Sequence, residues 1–126
     1  MCIRDSKDGI PISLSPIEII PKISRFFDYK AKYDDGGSEE VVNPEIGEEK
    51  LRKIQELALK AHKVLGCSGM SRTDFIEKNG TYYIIETNTI PGMTKNSLLP
   101  KSAEGSGITL SEVIEALIVN AFRKRI

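Results

Sequence analysis

The sequence predicts an α+β fold in which an antiparallel sheet is packed against helices. Two strand-like segments, Ser71 to Glu77 and Tyr82 to Thr87, flank Asn79-Gly80, a dipeptide typical of hairpin turns. Apolar residues recur at helical spacing from Glu48 to Leu65, and again from Thr109 to Arg123. Strands joined by a tight turn run antiparallel, so we expect an antiparallel sheet with helices packed against it.

Composition excludes several classes of protein. The chain has 126 residues, and 18 basic side chains balance 18 acidic ones. A net charge of zero lacks the basic excess of a nucleic-acid-binding protein, and no apolar stretch approaches the ~20 residues of a membrane span. Two cysteines and no CxxC motif do not make a disulfide framework. We therefore expect a cytoplasmic protein that binds neither nucleic acid nor membrane.

The first residues do not match the rest of the chain. Met1 to Ser6 resemble the translated sequencing-adapter tail found at the ends of assembled reading frames. We therefore predict that residues 1–9 are a non-native or disordered leader, the alternative being a frayed natural terminus. The domain proper is predicted to cover residues 10–126.

Short extended segments precede the first predicted helix. Ile10 to Ser13 and Ile17 to Ile20 are apolar runs that predict two strands, and Glu39 to Asn43 predicts a third. Between them, the segment from Ser24 to Ser38 ends in a glycine-rich stretch that is typical of a mobile loop.

The helix predicted from Glu48 to Leu65 has one apolar stripe and ends at Gly66. His62 lies on this helix, and we interpret it as a surface or boundary residue rather than a ligand or catalyst. Farther along, Thr89 to Lys101 is predicted to be a loop because it contains Pro91, Gly92 and Pro100. The spacing of Thr109 and Glu112 predicts a capping box at the start of the last helix.

The register of the hairpin decides whether its polar residues meet. A two-residue loop at Asn79-Gly80 makes Asp74 oppose Ile85, which leaves the Asp74 and Glu86 carboxylates on opposite faces. A three-residue loop makes Asp74 oppose Glu86 and places both on one face. We predict that longer loop, or a bulge with the same effect.

In that register, one face of the hairpin carries Arg72, Asp74, Glu86 and Asn88. Carboxylate and amide oxygens are the ligands that Mg²⁺ prefers, and an adjacent arginine suits phosphate. This predicts Mg²⁺-dependent phosphoryl chemistry. The plainer alternative is a solvent-facing strand pair with cross-strand ion pairs, although Glu86 ends an apolar strand, where a carboxylate is costly to bury without a cation.

Four segments resemble the D-alanine–D-alanine ligases, a family of the ATP-grasp superfamily. They are Gly66 to Asp74, Glu86 to Thr94, Phe27 to Tyr33 and Ser97 to Lys101. The Glu-x-Asn strand alone suggests only the superfamily, whereas the Pro-Gly-Met-Thr continuation is more specific. The resemblance runs from about residue 10 to the end, and it implies a C-terminal ATP-grasp subdomain without the N-terminal domain and most of the central domain.

The resemblance also implies roles for individual residues. Asp74, Glu86 and Asn88 would bind two Mg²⁺ (or Mn²⁺) ions, while Arg72 and the Gly92 amide would be catalytic and stabilise the developing oxyanion. Lys32 would contact the ATP phosphates. The second D-alanine would be bound by Tyr33, Ser97 and Leu98.

The reaction implied is ATP-dependent joining of two D-alanines through an acyl phosphate, for peptidoglycan precursor synthesis, by a homodimer when full-length. This chain alone is expected to be inactive. Two alternatives stay open: another ATP-grasp carboxylate–amine ligase, and a non-enzymatic domain that holds Mg²⁺ or Ca²⁺ for structure.

Overall fold

The computed structural model describes residues 1–22 and 38–123, and these contain six strands and three helices. The strands are β1 (Cys2–Asp5), β2 (Pro11–Ser13), β3 (Ile17–Pro21), β4 (Ser38–Val42), β5 (Met70–Lys78) and β6 (Thr81–Asn88). The helices are α1 (Glu48–Val64), α2 (Leu98–Gly105) and α3 (Leu110–Arg123). The predicted α+β class with an antiparallel sheet is confirmed.

The strands form two antiparallel sheets. The larger has the order β2-β1-β5-β6, and the smaller pairs β3 with β4. The strands predicted before α1 are all present, but β2 and β3 belong to different sheets even though only three residues separate them. The predicted loop between β3 and β4 falls largely on residues 23–37, outside the described residues.

Strand β1 corrects the prediction of a disordered leader. Cys2–Asp5 pairs with β2 on one side and with β5 on the other, so the segment lies inside the sheet. Ile3 is fully buried and Cys2 is 2% exposed. The sequence of this short segment, which has two charged residues, does not by itself predict a strand. It forms a strand here because its backbone is paired along both edges. The other part of that prediction, that residues 1–9 are non-native, stays a prediction.

Helices cover both faces of the larger sheet. Cys2, which lies opposite Arg72, packs in the core with residues of α2 and α3, namely Leu99, Ala103 and Val113. The neighbouring pair of Ile3 and Ser71 points to the other face, where α1 lies against β1, β2 and β5. Burial raises the pKa of the Cys2 thiol, which keeps it neutral inside the apolar layer.

Helix α1 buries a histidine that the sequence analysis placed at the surface. His62 is 2% exposed, and its Nδ1 lies 2.7 Å from the Ser71 hydroxyl oxygen on β5. Its Nε2 lies 3.3 Å from a carboxylate oxygen of Asp5. His62 follows the buried Ala58 by four residues and thus shares its face. The prediction was wrong because the polar partners come from distant strands.

Helix α2 begins inside the segment predicted as a loop. Pro100 was predicted to break regular structure, but it is the third residue of the helix. At that position a missing N–H costs no helical hydrogen bond, so the helix continues through it. The capping box before α3 is confirmed: the Thr109 hydroxyl accepts the Glu112 N–H at 3.2 Å, and a Glu112 carboxylate oxygen accepts the Thr109 N–H at 2.7 Å.

Among the described helices, none alone is long and apolar enough to cross a membrane; α2 and α3 pass that test only as a pair, with a 106° bend between them.

Candidate active site

A tight turn and a bulge together set the register of the β5–β6 hairpin. Asn79 and Gly80 have φ angles of 53° and 78°, as a two-residue type I′ turn requires. The predicted three-residue loop is therefore wrong, because Lys78 pairs directly with Thr81. Between Asp74 and Phe75 the register then shifts by one residue.

That shift has the effect predicted for a bulge. Phe75 pairs with Ile84 and Asp74 pairs with Glu86, so Ile85 is the extra residue on β6. Beyond it, Arg72 pairs with Asn88. All four polar side chains therefore project from one face of the hairpin, as the bulge alternative predicted.

Arg72 binds both acids of this face. Its Nε donates to Asp74 Oδ1 at 2.9 Å and its Nη2 donates to Asp74 Oδ2 at 3.0 Å, a bidentate pair. The same Nη2 lies 3.5 Å from Glu86 Oε1. The Arg72 side chain is 15% exposed and that of Glu86 is 51% exposed, so the guanidinium is held deep while the outer carboxylate faces solvent.

Arg72 remains charged in this setting. Burial alone would lower the pKa of Arg72, but the hydrogen bonds and charge of Asp74, aided by Glu86, raise it above its usual value. These three side chains are one guanidinium and two carboxylates. Such a cluster attracts a cation and still presents fixed positive charge to an anion.

The residues fit a divalent cation with hard ligands. Within the described part of the chain, no three Asp, Glu, His or Cys side chains gather at one point, and the further oxygen on the face of Asp74 and Glu86 is that of Asn88. Asn88 Oδ1 accepts the Ile90 N–H at 2.9 Å, which fixes its orientation and leaves one lone pair available. Two carboxylates and one amide oxygen suit Mg²⁺, which keeps other positions for water and phosphate.

A second group of predicted residues lies just past β6. A Cβ atom on Gly92 would stand 2.7 Å from Ser97 Oγ, so only glycine fits there without a shift. The Ser97 hydroxyl also lies 2.7 Å from the Thr94 hydroxyl and accepts the Thr94 N–H at 3.2 Å. Thr94 was not predicted to have a role; its place in the Pro-Gly-Met-Thr segment was the available signal.

Ser97 is the residue that precedes α2, and Leu98 is the first residue of that helix. The Ser97 side chain makes no capping bond to α2. The first N–H groups of a helix have no acceptor within it, and Pro100 has no N–H at all. Ser97 and Leu98 thus lie at a helix end that favours an anion such as a carboxylate. Lys32 and Tyr33 lie outside the described residues, and their roles stay predictions.

Comparisons with known proteins show which family the chain resembles. The sequence model of the family described as D-ala D-ala ligase C-terminus matches residues 3–119. A D-alanine–D-alanine ligase of Leptospira interrogans is 50% identical over 107 residues, which cover 85% of this chain and 30% of that protein. The crystal structure of the Bacillus anthracis ligase complexed with ATP matches with a TM-score of 0.76 and 40% identity, over 98% of this chain and 39% of that one. The Coxiella burnetii ligase matches with a TM-score of 0.78 and 30% identity, over 98% and 31% of the two chains.

The fold is thus that of the ATP-grasp class, in the part that carries the acidic hairpin. The chain belongs to the D-ala D-ala ligase C-terminus family. It spans about a third of the length of the relatives that it matches.

Proposed function

We propose that this chain is the metal- and phosphate-binding part of an enzyme that joins two D-alanines at the expense of ATP. The observation that carries the proposal is the bulge at Ile85, which brings Asp74 and Glu86 to one face beside Arg72. If the register of the two-residue turn continued along the whole hairpin, the two carboxylates would lie on opposite faces. The 50% identity to a D-alanine–D-alanine ligase supports this substrate over another acid.

The reaction has two steps. The carboxylate of the first D-alanine attacks the γ-phosphorus of ATP, and ADP leaves with formation of an acyl phosphate. The amine of the second D-alanine then attacks the acyl carbon, loses a proton and expels phosphate. Both steps develop negative charge on oxygen, which fixed cationic groups and N–H donors stabilise.

The residues of this chain take separate parts in that chemistry. Asp74, Glu86 and Asn88 would hold Mg²⁺ or Mn²⁺, which when bound offsets the charge of the ATP phosphates. Arg72 would contact the transferred phosphate. The Gly92 N–H would donate to the oxyanion that forms when the second D-alanine attacks.

The second D-alanine would lie at the start of α2. Ser97 and the N–H of Leu98 would bind its carboxylate, because a helix N-terminus favours negative charge. Lys32 would bind the ATP phosphates and Tyr33 would contact the second D-alanine, both by resemblance to the family.

The test uses the full-length protein that carries this chain. Asp74→Asn and Glu86→Gln remove charge while they keep shape, and we expect each to lower ATP- and D-alanine-dependent phosphate release by about 100-fold or more. Glu56→Gln, on the exposed face of α1, is the matched control and should not change the rate. The chain alone should release no phosphate.

Other outcomes identify the alternatives. Phosphate release with a different acid in place of D-alanine would indicate another carboxylate–amine ligase. Tight Mg²⁺ binding that ATP does not affect, with no turnover, would indicate an ion-binding structural domain.

We further propose a cytoplasmic homodimer that supplies dipeptide for peptidoglycan precursors, without nucleic acid or membrane as partners; light scattering of the full-length protein tests the dimer.

A further inference from the structure

Thr73 and Thr87 form a hydroxyl pair on the face of the hairpin opposite the proposed metal ligands. Their Oγ1 atoms lie 3.0 Å apart, and the two residues are direct cross-strand partners. Thr73 is fully buried. Because successive strand residues point to opposite faces, neither hydroxyl faces Asp74 or Glu86, although each threonine is the direct chain neighbour of one of those acids.

Thr73 connects β5 to β6 and to the residue before β1. Its backbone N–H donates to the carbonyl of Met1, the residue before β1, at 2.9 Å. Its side chain extends in the other direction, to Thr87 on β6. Strand β6 is the edge of the sheet, with β5 as its single neighbour among the described strands, so β5 alone aligns it.

The position of the bulge is what aligns the acids. If the extra residue on β6 were Thr87 instead of Ile85, Thr73 would oppose Glu86, Asp74 would oppose Ile85, and Glu86 would turn to the other face. A bond between directly opposed Thr73 and Thr87 is possible only when the bulge lies on the turn side of the pair. The hydroxyl pair therefore opposes migration of the bulge past Glu86.

We propose that Thr73 and Thr87 are positioning residues: their bond keeps the bulge on the turn side of Thr87 and so opposes the slip that would turn Glu86 away from Asp74. The proposal rests on the proposed function for the role of the two acids. The alignment itself follows from the pairing of the strands.

The test compares variants of the full-length protein. Thr73→Val keeps the shape of the side chain and removes the hydroxyl, whereas Thr73→Ser keeps the hydroxyl. Thr81→Val is the matched control, because Thr81 is an exposed threonine on the same strand as Thr87 but at the turn end. The double variant Thr73→Val with Thr87→Val should show no larger change in metal affinity or in hydrogen exchange than Thr73→Val alone. After the first substitution the Thr87 hydroxyl has already lost its partner, so its removal breaks no further bond.

Two readouts are needed, and neither is turnover. Affinity for Mn²⁺ with ATP is measured by electron paramagnetic resonance, and we expect Thr73→Val to weaken it about three- to tenfold, the value of one hydrogen bond. Hydrogen exchange of peptides that cover β6 should quicken by a similar factor, while peptides from α1 stay unchanged. Thr73→Ser and Thr81→Val should stay close to the unsubstituted protein in both.

Each other result has a definite meaning. Unchanged exchange of β6 in Thr73→Val overturns the proposal, and so does faster exchange with unchanged affinity, which would show a pair that stiffens the hairpin without placing the acids. If the unsubstituted protein binds no Mn²⁺ with ATP, the proposed function fails, and the exchange experiment alone then decides whether the pair holds the register.

Discussion

Strand β5 and helix α2 each carry part of the candidate site, and different kinds of contact attach them to the molecule. β5 has backbone hydrogen bonds to a strand on each side. Its Ser71 hydroxyl also pairs with His62 of α1, and its Thr73 hydroxyl pairs with Thr87 of β6. Side chains attach α2 to the β3–β4 sheet and the residues before it. The Ser102 hydroxyl donates to the Ser15 carbonyl, and Lys101 forms an ion pair with Glu40 on β4.

This contrast indicates where the site is sensitive to sequence. A strand keeps its place through groups that every residue carries, so single side chains adjust its register but do not create it. The place of a docked helix depends on a few side chains. We therefore expect polar and steric changes around α2 to shift Ser97 relative to a hairpin that stays in position.

The largest effect is expected behind β5, from His62→Phe. The substitution leaves the buried Ser71 hydroxyl without its hydrogen-bond partner and removes the ring nitrogen that lies 3.3 Å from the buried Asp5 carboxylate, which should lower the free energy of unfolding by about 2–3 kcal/mol. Denaturant unfolding measures it. Lys60→Ala, on the exposed side of the same helix, is the control and should change stability little. Equal stability of the two variants would mean that the histidine contributes nothing to holding the strand.

A smaller effect is expected from Gly105→Ala, which tests the docking of α2. A Cβ atom there would clash with Val42 Cγ1 and would lie 3.2 Å from the Ser15 Cβ. We expect a loss of about 1–2 kcal/mol, because overpacking outweighs the gain in helix propensity. Adding Val42→Ala should restore most of the loss. If the double variant is as unstable as the single one, the close approach of α2 to β4 is not the cause.

The ion pair of Lys101 with Glu40 should contribute less, about 1 kcal/mol at most. Its side chains are 33% and 23% exposed, so Lys101→Met should be measurably destabilising at low salt and less so at high salt. Lys22→Met breaks the neighbouring pair with Glu39, in which both side chains are 53% exposed, and should have no measurable effect. Equal effects of the two substitutions would show that burial does not distinguish these pairs.

The sequence predicted the hairpin better than its surroundings because its signals are local. Asn79-Gly80 marks the turn, and the alternation of polar residues marks the strands. The choice between a longer loop and a bulge stayed open, because both align Asp74 with Glu86. The type I′ turn matches the twist of the strands, so the extra residue went to Ile85 instead.

The errors concern contacts between distant segments. Nothing near Cys2 indicates that both β2 and β5 pair with β1. No local pattern shows that the His62 ring lies against Ser71 and Asp5. The helix phase of His62 with Ala58 was the signal that could have indicated its burial. The start of α2 was missed because Pro100 was interpreted as a breaker, although proline is tolerated in a first helical turn.

The smallest expected effect is on α3, where the contacts are local and exposed. Hydrogen bonds from the Thr109 N–H and hydroxyl lower the pKa of Glu112. A carboxylate with a lowered pKa in the folded state adds stability above its unfolded pKa, and this contribution is lost as the pH falls through the folded value. Glu112→Gln should therefore reduce the melting temperature slightly at neutral pH and not at all once the pH is well below the folded pKa. Thermal melts across that acidic range measure it, with Glu104→Gln, an exposed carboxyl in α2, as the control. A Glu112→Gln difference that persists at the lowest pH would assign the effect to helix propensity, and the capping box at α3 would then contribute no charge-dependent stability.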